Sequence, residues 1–269
     1  MAILFSGDFH ANSRGELSII KKDSLLNRYG EELYNKINYH IMLGDCGFMW
    51  IDSEEDDEKN YKELAKRNFP ILCVMGNHEP VYGRKDLPEI DIGIGEKVIV
   101  VNEEKPFVAY LKRGKIYNID GYKFLVLGGA LSTDKEGRVQ GISWWKEEYW
   151  SEEEKENLFE LLKTENKFDF VVSHTGPRNI NWELASKGVP NRHGKMTDKV
   201  GELNEKIDKK IKHRAWFCGH WHYDYLNKTF SGERRTNKKK YYYIYTETLL
   251  VDKNKLFITK ALGDNEILK

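Results

Sequence analysis

The chain has 269 residues, of which 40% are hydrophobic and 32% are charged, and its 43 basic residues balance 43 acidic residues. This composition excludes a disordered tail and a polybasic nucleic-acid arm, and the length allows one large domain or two small ones. No apolar run approaches the ~20 residues of a membrane helix, and the first apolar segment meets the polar Ser6 too early for a signal peptide. We therefore expect a soluble, cytoplasmic protein.

Five short apolar segments are predicted to be strands that are buried on both faces. Each is a continuous apolar run that ends in a polar turn, usually with glycine, as is typical of such strands. They are residues 2–6, 39–43, 71–75, 170–173 and 215–218.

Helical patterns lie between or before these strands. The clearest start is at Ser151, which forms a capping-box pattern with Glu154 ahead of an apolar helix face. Helices are also predicted for residues 16–29, 58–67 and 197–211. A capping box that begins at Ser53 precedes the helix predicted at 58–67. The first three strands and their helices thus read as βαβαβ.

The remaining apolar segments predict antiparallel strands. They are residues 98–101, 115–119, 122–127, 241–251 and 256–261. Asp120-Gly121 is a strong signal for a tight hairpin, and residues 252–255 form the second predicted turn. These pieces suggest a second sheet packed on the first, in the layer order helix, sheet, sheet, helix. The expected fold is α/β, a two-sheet sandwich flanked by helices in one domain over residues 1–269.

Each of the five buried strands is followed by Asp, Asn or His, which are residue types that bind metals. The segments are Gly7-Asp8-Phe9-His10, Gly44-Asp45, Gly76-Asn77-His78-Glu79, Ser173-His174 and Gly219-His220-Trp221-His222. Because ligands of open α/β sheets bind outside the carboxyl ends of the strands, we expect these tips to converge on one crevice. Carboxylate and imidazole ligands without thiolate suit Mn, Fe or Zn, and an aspartate can bridge two metals ~3.5–4 Å apart.

The three cysteines are not part of this pattern. Cys46, Cys73 and Cys218 are odd in number, far apart and without a Cys-x-x-Cys pair. Reduced thiols in a reducing compartment are therefore expected.

In these five segments the chain resembles the calcineurin-like metallophosphoesterase family, from Gly7 to His222. The family's two-sheet sandwich flanked by helices agrees with the predicted layers. The resemblance implies a dinuclear centre of two divalent ions, expected to be Mn, with Fe, Zn or Ni as alternatives. It further implies one ion held by Asp8, His10 and His222, and a second ion held by Asn77, His174 and His220. Asp45 would bridge both.

The resemblance also implies that His78 lies beside the substrate phosphate and binds no metal. Two cations neutralise the phosphoester oxygens and lower the pKa of a bound water, so that hydroxide becomes the nucleophile. Departure of the alkoxide then needs a proton or a positive field. A histidine that titrates near neutral pH can supply either, and His78 is the predicted catalytic residue.

The second segment departs from the pattern of Ser/Thr protein phosphatases, which the chain otherwise resembles in Gly76-Asn77-His78-Glu79. That branch continues its second motif to Asp-Arg-Gly, whose arginine clamps the phosphate, whereas the corresponding residues 44–50 contain no arginine here. Ala11 also replaces the glycine that usually follows the histidine of the first motif. Arg178 is predicted to supply the guanidinium from another loop, with a surface salt bridge as the alternative.

Three other segments have open interpretations. Asn12 is a predicted substrate contact, and the alternative is a cap of the turn before a helix. Residues 188–196 have the glycines and proline of a mobile loop that would line the site, or are an ordinary connection. The basic pairs and runs Arg234-Arg235 and Lys238-Lys239-Lys240 precede a tyrosine run and would suit a nucleic-acid backbone, but the neutral chain favours a solvated hairpin tip.

These observations predict a dinuclear metal-dependent phosphoesterase that hydrolyses a phosphodiester or a small or nucleotide phosphomonoester. A Ser/Thr protein phosphatase is the second hypothesis. The rival from another class is a catalytically silent metal-binding scaffold, whose sequence signature would be lost ligands, and none is lost here.

Overall fold

The computed structural model describes residues 1–10, 16–49, 54–102, 107–186, 198–225, 239–253, 255–258 and 265–267. Its strands are β1 (Ala2–Ser6), β2 (Ile37–Met42), β3 (Ile71–Cys73), β4 (Glu89–Ile90), β5 (Val98–Asn102), β6 (Val108–Tyr110), β7 (Lys115–Ile119), β8 (Tyr122–Val126), β9 (Lys167–Val172), β10 (Lys212–Cys218), β11 (Lys240–Tyr243), β12 (Thr248–Asp252), β13 (Lys255–Ile258) and β14 (Asn265–Ile267). Its α-helices are α1 (Lys22–Tyr29), α2 (Glu31–Tyr34), α3 (Glu54–Leu64), α4 (Glu152–Thr164), α5 (Arg178–Ser186) and α6 (Lys199–Asp208).

The strands form two mixed sheets. Within the described residues the first sheet has the order β14-β13-β12-β1-β2-β3-β6-β5-β4, and the second has the order β11-β10-β9-β8-β7. The neighbours β1, β2, β3 and β6 are parallel, and so are β8, β9, β10 and β11. The carboxyl ends of these parallel strands therefore lie at one edge of each sheet.

The main hydrophobic core lies between the two sheets. It joins side chains of β1, β2 and β3 to side chains of β8, β9 and β10. Phe5 of β1 stacks on Phe217 of β10 with ring centroids 4.2 Å apart, and both are fully buried. Since burying one such side chain stabilises a fold by about 1.5–3 kcal/mol, this pair helps to hold the two sheets face to face.

Helices cover the outer faces of both sheets. A second cluster packs α4, α5 and α6 on the second sheet, with Leu158, Ile180 and Ile207 among its buried members. Two smaller clusters on the first sheet include Leu25 of α1, Tyr34 of α2 and Leu64 of α3. The predicted order of helix, sheet, sheet, helix is thus confirmed.

Two local predictions are confirmed in detail. Ser151 accepts the backbone N–H of Glu154, whose carboxylate accepts that of Ser151, so the capping box at the start of α4 is complete. Asp120 and Gly121 join β7 to β8 with positive φ angles of 56° and 81°, as a tight hairpin of this kind requires.

The predicted strand 241–251 is wrong, because it splits between the two sheets. Its first part is β11 of the second sheet, and its last part is β12 of the first sheet. Between them the carboxylate of Asp224 accepts the backbone N–H groups of Tyr245, Thr246 and Glu247, at 2.7, 3.0 and 3.1 Å. A single side chain therefore bends the chain out of strand geometry.

Other boundaries also differ from the predictions. Residues 98–101 belong to the first sheet as β5, and the second sheet is mixed, not a separate antiparallel unit. The helix predicted at 16–29 is a 3-10 turn, Glu16–Ile20, followed by α1, because Lys21 has an extended backbone. The helix predicted at 58–67 is α3, and Ser53 lies outside the described residues.

Candidate metal centre

The metal-ligand types gather where the two sheets meet at one edge. Asp8, Asp45 and Asn77 follow β1, β2 and β3 of the first sheet, whereas His174 and His220 follow β9 and β10 of the second. Within the second sheet, the backbone N–H of Gly219 donates to the carbonyl of His174 at 2.9 Å. The site is therefore built across the sandwich and not at the end of a single sheet.

One group of ligand atoms comes from Asp8, His10 and His222. All three atoms lie within 4.8 Å of one another. His10 Nε2 is 2.8 Å from Asp8 Oδ1, and His222 Nε2 is 3.0 Å from Asp8 Oδ2. The two ring nitrogens are 3.3 Å apart. The ring of His222 also stacks on Tyr245, with centroids 4.8 Å apart, which holds its orientation.

The second group overlaps the first and comprises Asp8, Asp45 and His174. His174 Nε2 lies 3.3 Å from Asp45 Oδ2 and 3.0 Å from the amide oxygen of Asn77. His220 is the neighbour of His174, with ring centroids 4.9 Å apart. The structure thus brings together all seven residues that the sequence assigns to a metal centre.

The proton of His174 has a defined position. Its Nδ1 is 2.7 Å from the backbone carbonyl of Leu43, which can only accept a hydrogen bond. Nδ1 therefore carries a proton, and Nε2 is the atom that faces Asp45 and Asn77. A backbone acceptor of this kind is the usual way in which a protein fixes the tautomer of a metal-binding histidine.

The backbone at the site is strained. Four of the seven residues have positive φ, which is uncommon for residues with a Cβ: His10 (43°), Asp45 (47°), His220 (69°) and His222 (48°). Such conformations cost of order 1–3 kcal/mol each and persist only where the surrounding structure enforces them. Their concentration here indicates that the fold gives up stability to aim these side chains.

Two glycines allow the motifs to approach each other closely. A Cβ on Gly44 would lie 2.4 Å from Nδ1 of His174, and one on Gly76 would lie 2.1 Å from Oδ1 of Asp45. Any side chain at either position would displace a candidate ligand.

The donor set fits divalent cations. Both oxygens of Asp8 are buried and have no properly oriented hydrogen bond within the described residues, although two imidazoles lie close by. Carboxylate oxygens and deprotonated imidazole nitrogens that face a common point are what a divalent cation requires. Burial alone would lower the pKa of His10 and of His174, but the charges of Asp8 and Asp45 raise them to about 9. A negative field therefore surrounds the centre.

His78 lies beside this centre with a different environment. Its ring is 5.8 Å from that of His10, its side chain is 9% exposed, and its Nδ1 has no hydrogen-bond partner among the described residues. Burial lowers the pKa of His78. The charge of Asp45 raises it, and the charge of Arg138 lowers it, so that the net shift is downward. Burial therefore favours the neutral form of this imidazole.

The predicted substrate contacts have different outcomes. Asn12 and the loop 188–196 lie outside the described residues. Arg178 begins α5 and pairs with Glu202 at 2.9 Å and with Glu205 at 3.0 Å, so the salt bridge that was its alternative role is present. Its contact with phosphate stays a prediction.

Sequence reasoning missed a charged pair near His78. Arg138 and Asp134 form an ion pair of 2.6 Å, and both influence the pKa of His78. They lie in the loop after β8 and belong to no sequence motif. Their position near His78 could therefore be recognised only from the fold.

A cavity of about 780 Å³ lies beside Met75, and its lining includes none of the candidate metal ligands and not His78. Met75, which directly precedes Gly76, lies in its wall together with Tyr82, Arg113, Lys146 and Trp150. Ligand pockets commonly have ~300–1,000 Å³ and mostly apolar walls, so the cavity has the size of a small-molecule site.

Comparison with known proteins assigns the chain to a family. The profile of the calcineurin-like phosphoesterase family matches residues 1–224. The crystal structure of a phosphopantetheinyl hydrolase from Mycobacterium tuberculosis is similar, with 11% sequence identity, a TM-score of 0.40, and coverage of 91% of this chain and 90% of that chain. No curated protein matches the sequence significantly. The family match spans the five motifs, and the chain therefore belongs to the calcineurin-like phosphoesterases, a family of metal-dependent hydrolases of phosphoric esters.

Proposed function

We propose that the protein hydrolyses a phosphodiester, or a small or nucleotide phosphomonoester, with two divalent cations. The observation that carries this proposal is the pair of overlapping ligand groups, Asp8-His10-His222 and Asp8-Asp45-His174. Two ligand groups that share a carboxylate are suited to two ions held close together. A catalytically silent scaffold would have no need to keep both.

The proposed ligand partition is the one that the family resemblance implies, and the group Asp8-His10-His222 supports its first half. One ion is held by Asp8, His10 and His222, and the other by Asn77, His174 and His220. Asp45 is the proposed bridge, because its Oδ2 lies 3.8 Å from His10 Nε2 in one half and 3.3 Å from His174 Nε2 in the other. Asp8 is common to both groups in the structure and reinforces the negative field between them.

The donor set supports Mn, with Fe, Zn or Ni as alternatives, since imidazole and carboxylate ligands without thiolate suit these ions. When bound, such a pair of cations neutralises phosphoester oxygens and generates a nucleophile from water near neutral pH. The protein's own contribution is to fix the ligands. The stack of Tyr245 on His222 and the hydrogen bond of His174 to Leu43 do so in the two halves of the centre.

His78 is the proposed catalytic residue. Its backbone N–H donates to Asp45 Oδ1 at 2.8 Å, which leaves its ring beside the centre and not in it. A bound phosphoester adds negative charge next to this ring and favours its protonated form, whereas burial lowers the pKa of His78. The protonated ring can then donate to the leaving oxygen.

A Ser/Thr protein phosphatase remains the second candidate because of the segment 76–79. The absence of an arginine from residues 44–50, where that branch has its phosphate-clamping arginine, weakens this candidate.

Two broader features also belong to this proposal. We propose a single domain over residues 1–269, supported by one core cluster that joins side chains from Ile3 to Val251. We propose a cytoplasmic location, supported by the free, buried thiols of all three cysteines. In the part of the chain that the structure describes, no helix is long and apolar enough to cross a membrane.

A turnover screen tests the proposed function. The purified chain with Mn is offered aryl phosphate monoesters and diesters, cyclic nucleotides, mononucleotides, single-stranded nucleic acid and a phosphopeptide. We expect the highest kcat/KM on a small diester or a nucleotide ester, and the Asp45→Asn variant serves as the blank for contaminating activity. Preference for the phosphopeptide would establish the second candidate. No Mn-dependent turnover on any ester would overturn the proposal.

A further inference from the structure

The amide of Asn77 is held from both sides. Its oxygen Oδ1 is 3.0 Å from His174 Nε2, inside the centre. Its nitrogen Nδ2 donates to the hydroxyl of Ser132 at 3.0 Å, on the other side. An asparagine amide can rotate by half a turn and exchange these two atoms, and only the oxygen can bind a cation. Something must therefore select this orientation.

The hydroxyl of Ser132 makes that selection because it has a single proton. It donates this proton to the carboxylate of Glu148, whose Oε2 is 2.5 Å away. The lone pairs of the hydroxyl are then left for Asn77, and they attract the NH₂ group but repel the amide oxygen. The chain of donors runs in one direction, from Asn77 through Ser132 to Glu148.

Glu148 anchors this chain in the interior. Its side chain is 0% exposed, and Ser132 is 3% exposed. The backbone N–H of Ser132 donates to Oε1 at 3.3 Å, and the ammonium of Lys135 lies 2.9 Å from the same oxygen. Burying a carboxylate without such partners would destabilise the fold. These contacts therefore keep Glu148 in place as a hydrogen-bond acceptor.

Burial and direction together point to a function beyond packing. We propose that Ser132 and Glu148 are positioning residues that hold the side-chain amide of Asn77 with its oxygen toward the second metal ion. The inference rests on the proposed function only in that Asn77 is taken as a ligand of that ion. Neither residue belongs to a motif, and both lie in the loop between β8 and α4.

Metal binding is the direct test. Mn²⁺ is titrated into wild type, Ser132→Ala and Glu148→Gln by calorimetry, and bound Mn²⁺ is counted by electron paramagnetic resonance. Loss of a partner behind a metal ligand typically weakens affinity by about 10–100-fold. We expect a loss of that size for one ion in both variants, while the other ion binds as in wild type.

Two neighbouring residues provide matched controls. Ser143 lies in the same loop, and its hydroxyl accepts the backbone N–H of Val139 at 3.0 Å. The side chain of Glu147 is exposed next to Glu148. Ser143→Ala and Glu147→Gln should leave both affinities and the midpoint of thermal unfolding unchanged.

An Asn77→Asp background separates orientation from structure. An aspartate carboxylate presents an oxygen to the ion in either orientation, so Ser132 is not needed to select its orientation. Its other oxygen would face the lone pairs of the Ser132 hydroxyl, which is unfavourable. Ser132→Ala should therefore lose its effect on Mn²⁺ affinity in this background, or strengthen binding. If Ser132 had a merely structural role, Ser132→Ala would cause the same loss of affinity in the wild-type and Asn77→Asp backgrounds.

The outcomes distinguish the two proposals. If Asn77→Ala leaves both ions bound at full affinity, the ligand assignment has failed. If Asn77→Ala loses one ion but Ser132→Ala and Glu148→Gln bind both as tightly as wild type, the positioning role is overturned. Should Glu148→Gln fail to fold, Ser132→Ala in the two backgrounds decides alone.

Discussion

The two carboxylate oxygens of Asp45 have different partners. Oδ1 accepts a hydrogen bond from the backbone N–H of His78 at 2.8 Å, and Oδ2 lies 3.3 Å from His174 Nε2. The proposed bridge and the proposed acid are thus tied together through the main chain. A carboxylate held in this way cannot rotate without releasing His78. Changes at Asp45 should therefore affect both metal binding and catalysis.

Asp45→Asn is expected to abolish activity almost completely and to lower the content of both ions. The amide removes a negative charge that the proposed bridge supplies to each cation, and cannot offer two equivalent oxygens. Elemental analysis after dialysis against Mn²⁺ measures the content. Asp86→Asn, at an exposed aspartate paired with Arg84, is the matched control. Two ions at full occupancy and full activity would remove Asp45 from the bridge.

His222→Ala should remove mainly the ion held with Asp8 and His10. His174→Ala should remove mainly the other ion, because the two histidines belong to different ligand groups. The two variants therefore control for each other. Mn²⁺ stoichiometry and affinity, measured by calorimetry, should drop by one site in each case. Loss of the same site in both variants would contradict the proposed partition.

His78→Ala should lower kcat by about 10²–10⁴-fold while both ions and the fold persist, since this is the usual contribution of a positioned acid or base. The loss should be smaller for a nitrophenyl ester, whose leaving group departs without a proton, than for an alkyl ester. Equal losses on both esters would instead indicate that His78 positions the phosphate or the nucleophile. Loss of a metal would make it a ligand.

Asp208 predicts a pH dependence of stability far from the metal centre. Its carboxylate accepts hydrogen bonds from His213, Lys239 and Tyr241. Although burial alone would raise its pKa, the contacts with His213 and Lys239 lower it from 3.8 to about 2. A lowered folded-state pKa stabilises the fold above pH ~4, and this stabilisation is lost as the pH falls toward 2.

Asp208→Asn should therefore reduce the free energy of unfolding by about 2 kcal/mol at pH 7, and the difference from wild type should shrink between pH 4 and 3. Urea unfolding at pH 7, 5, 4 and 3 measures it. Asp86→Asn is the control: the pKa of Asp86 is also lowered to about 2, but its side chain is solvated and its ion pair is screened. A constant difference across this range would show that Asp208 acts through packing.

The Asp224 turn shows why one strand prediction failed. Residues 241–251 are strongly apolar and aromatic, so their pattern indicates one strand. The break comes from a carboxylate that lies 21–23 residues away in the chain and captures three consecutive N–H groups. Local periodicity contains no information about such a contact.

The division between sequence and tertiary structure follows from the range of the interactions. The sequence alone determined the strand tips with their ligand types, the capping box of α4, the hairpin at Asp120 and the layered fold, because each depends on near neighbours or on a regular apolar pattern. Only the tertiary structure decided which strands share a sheet, that Arg178 pairs with Glu202 and Glu205, and that Ser132 lies behind Asn77 from 55 residues away. These contacts depend on how the two sheets and their loops pack, and packing brings together residues that no local pattern connects.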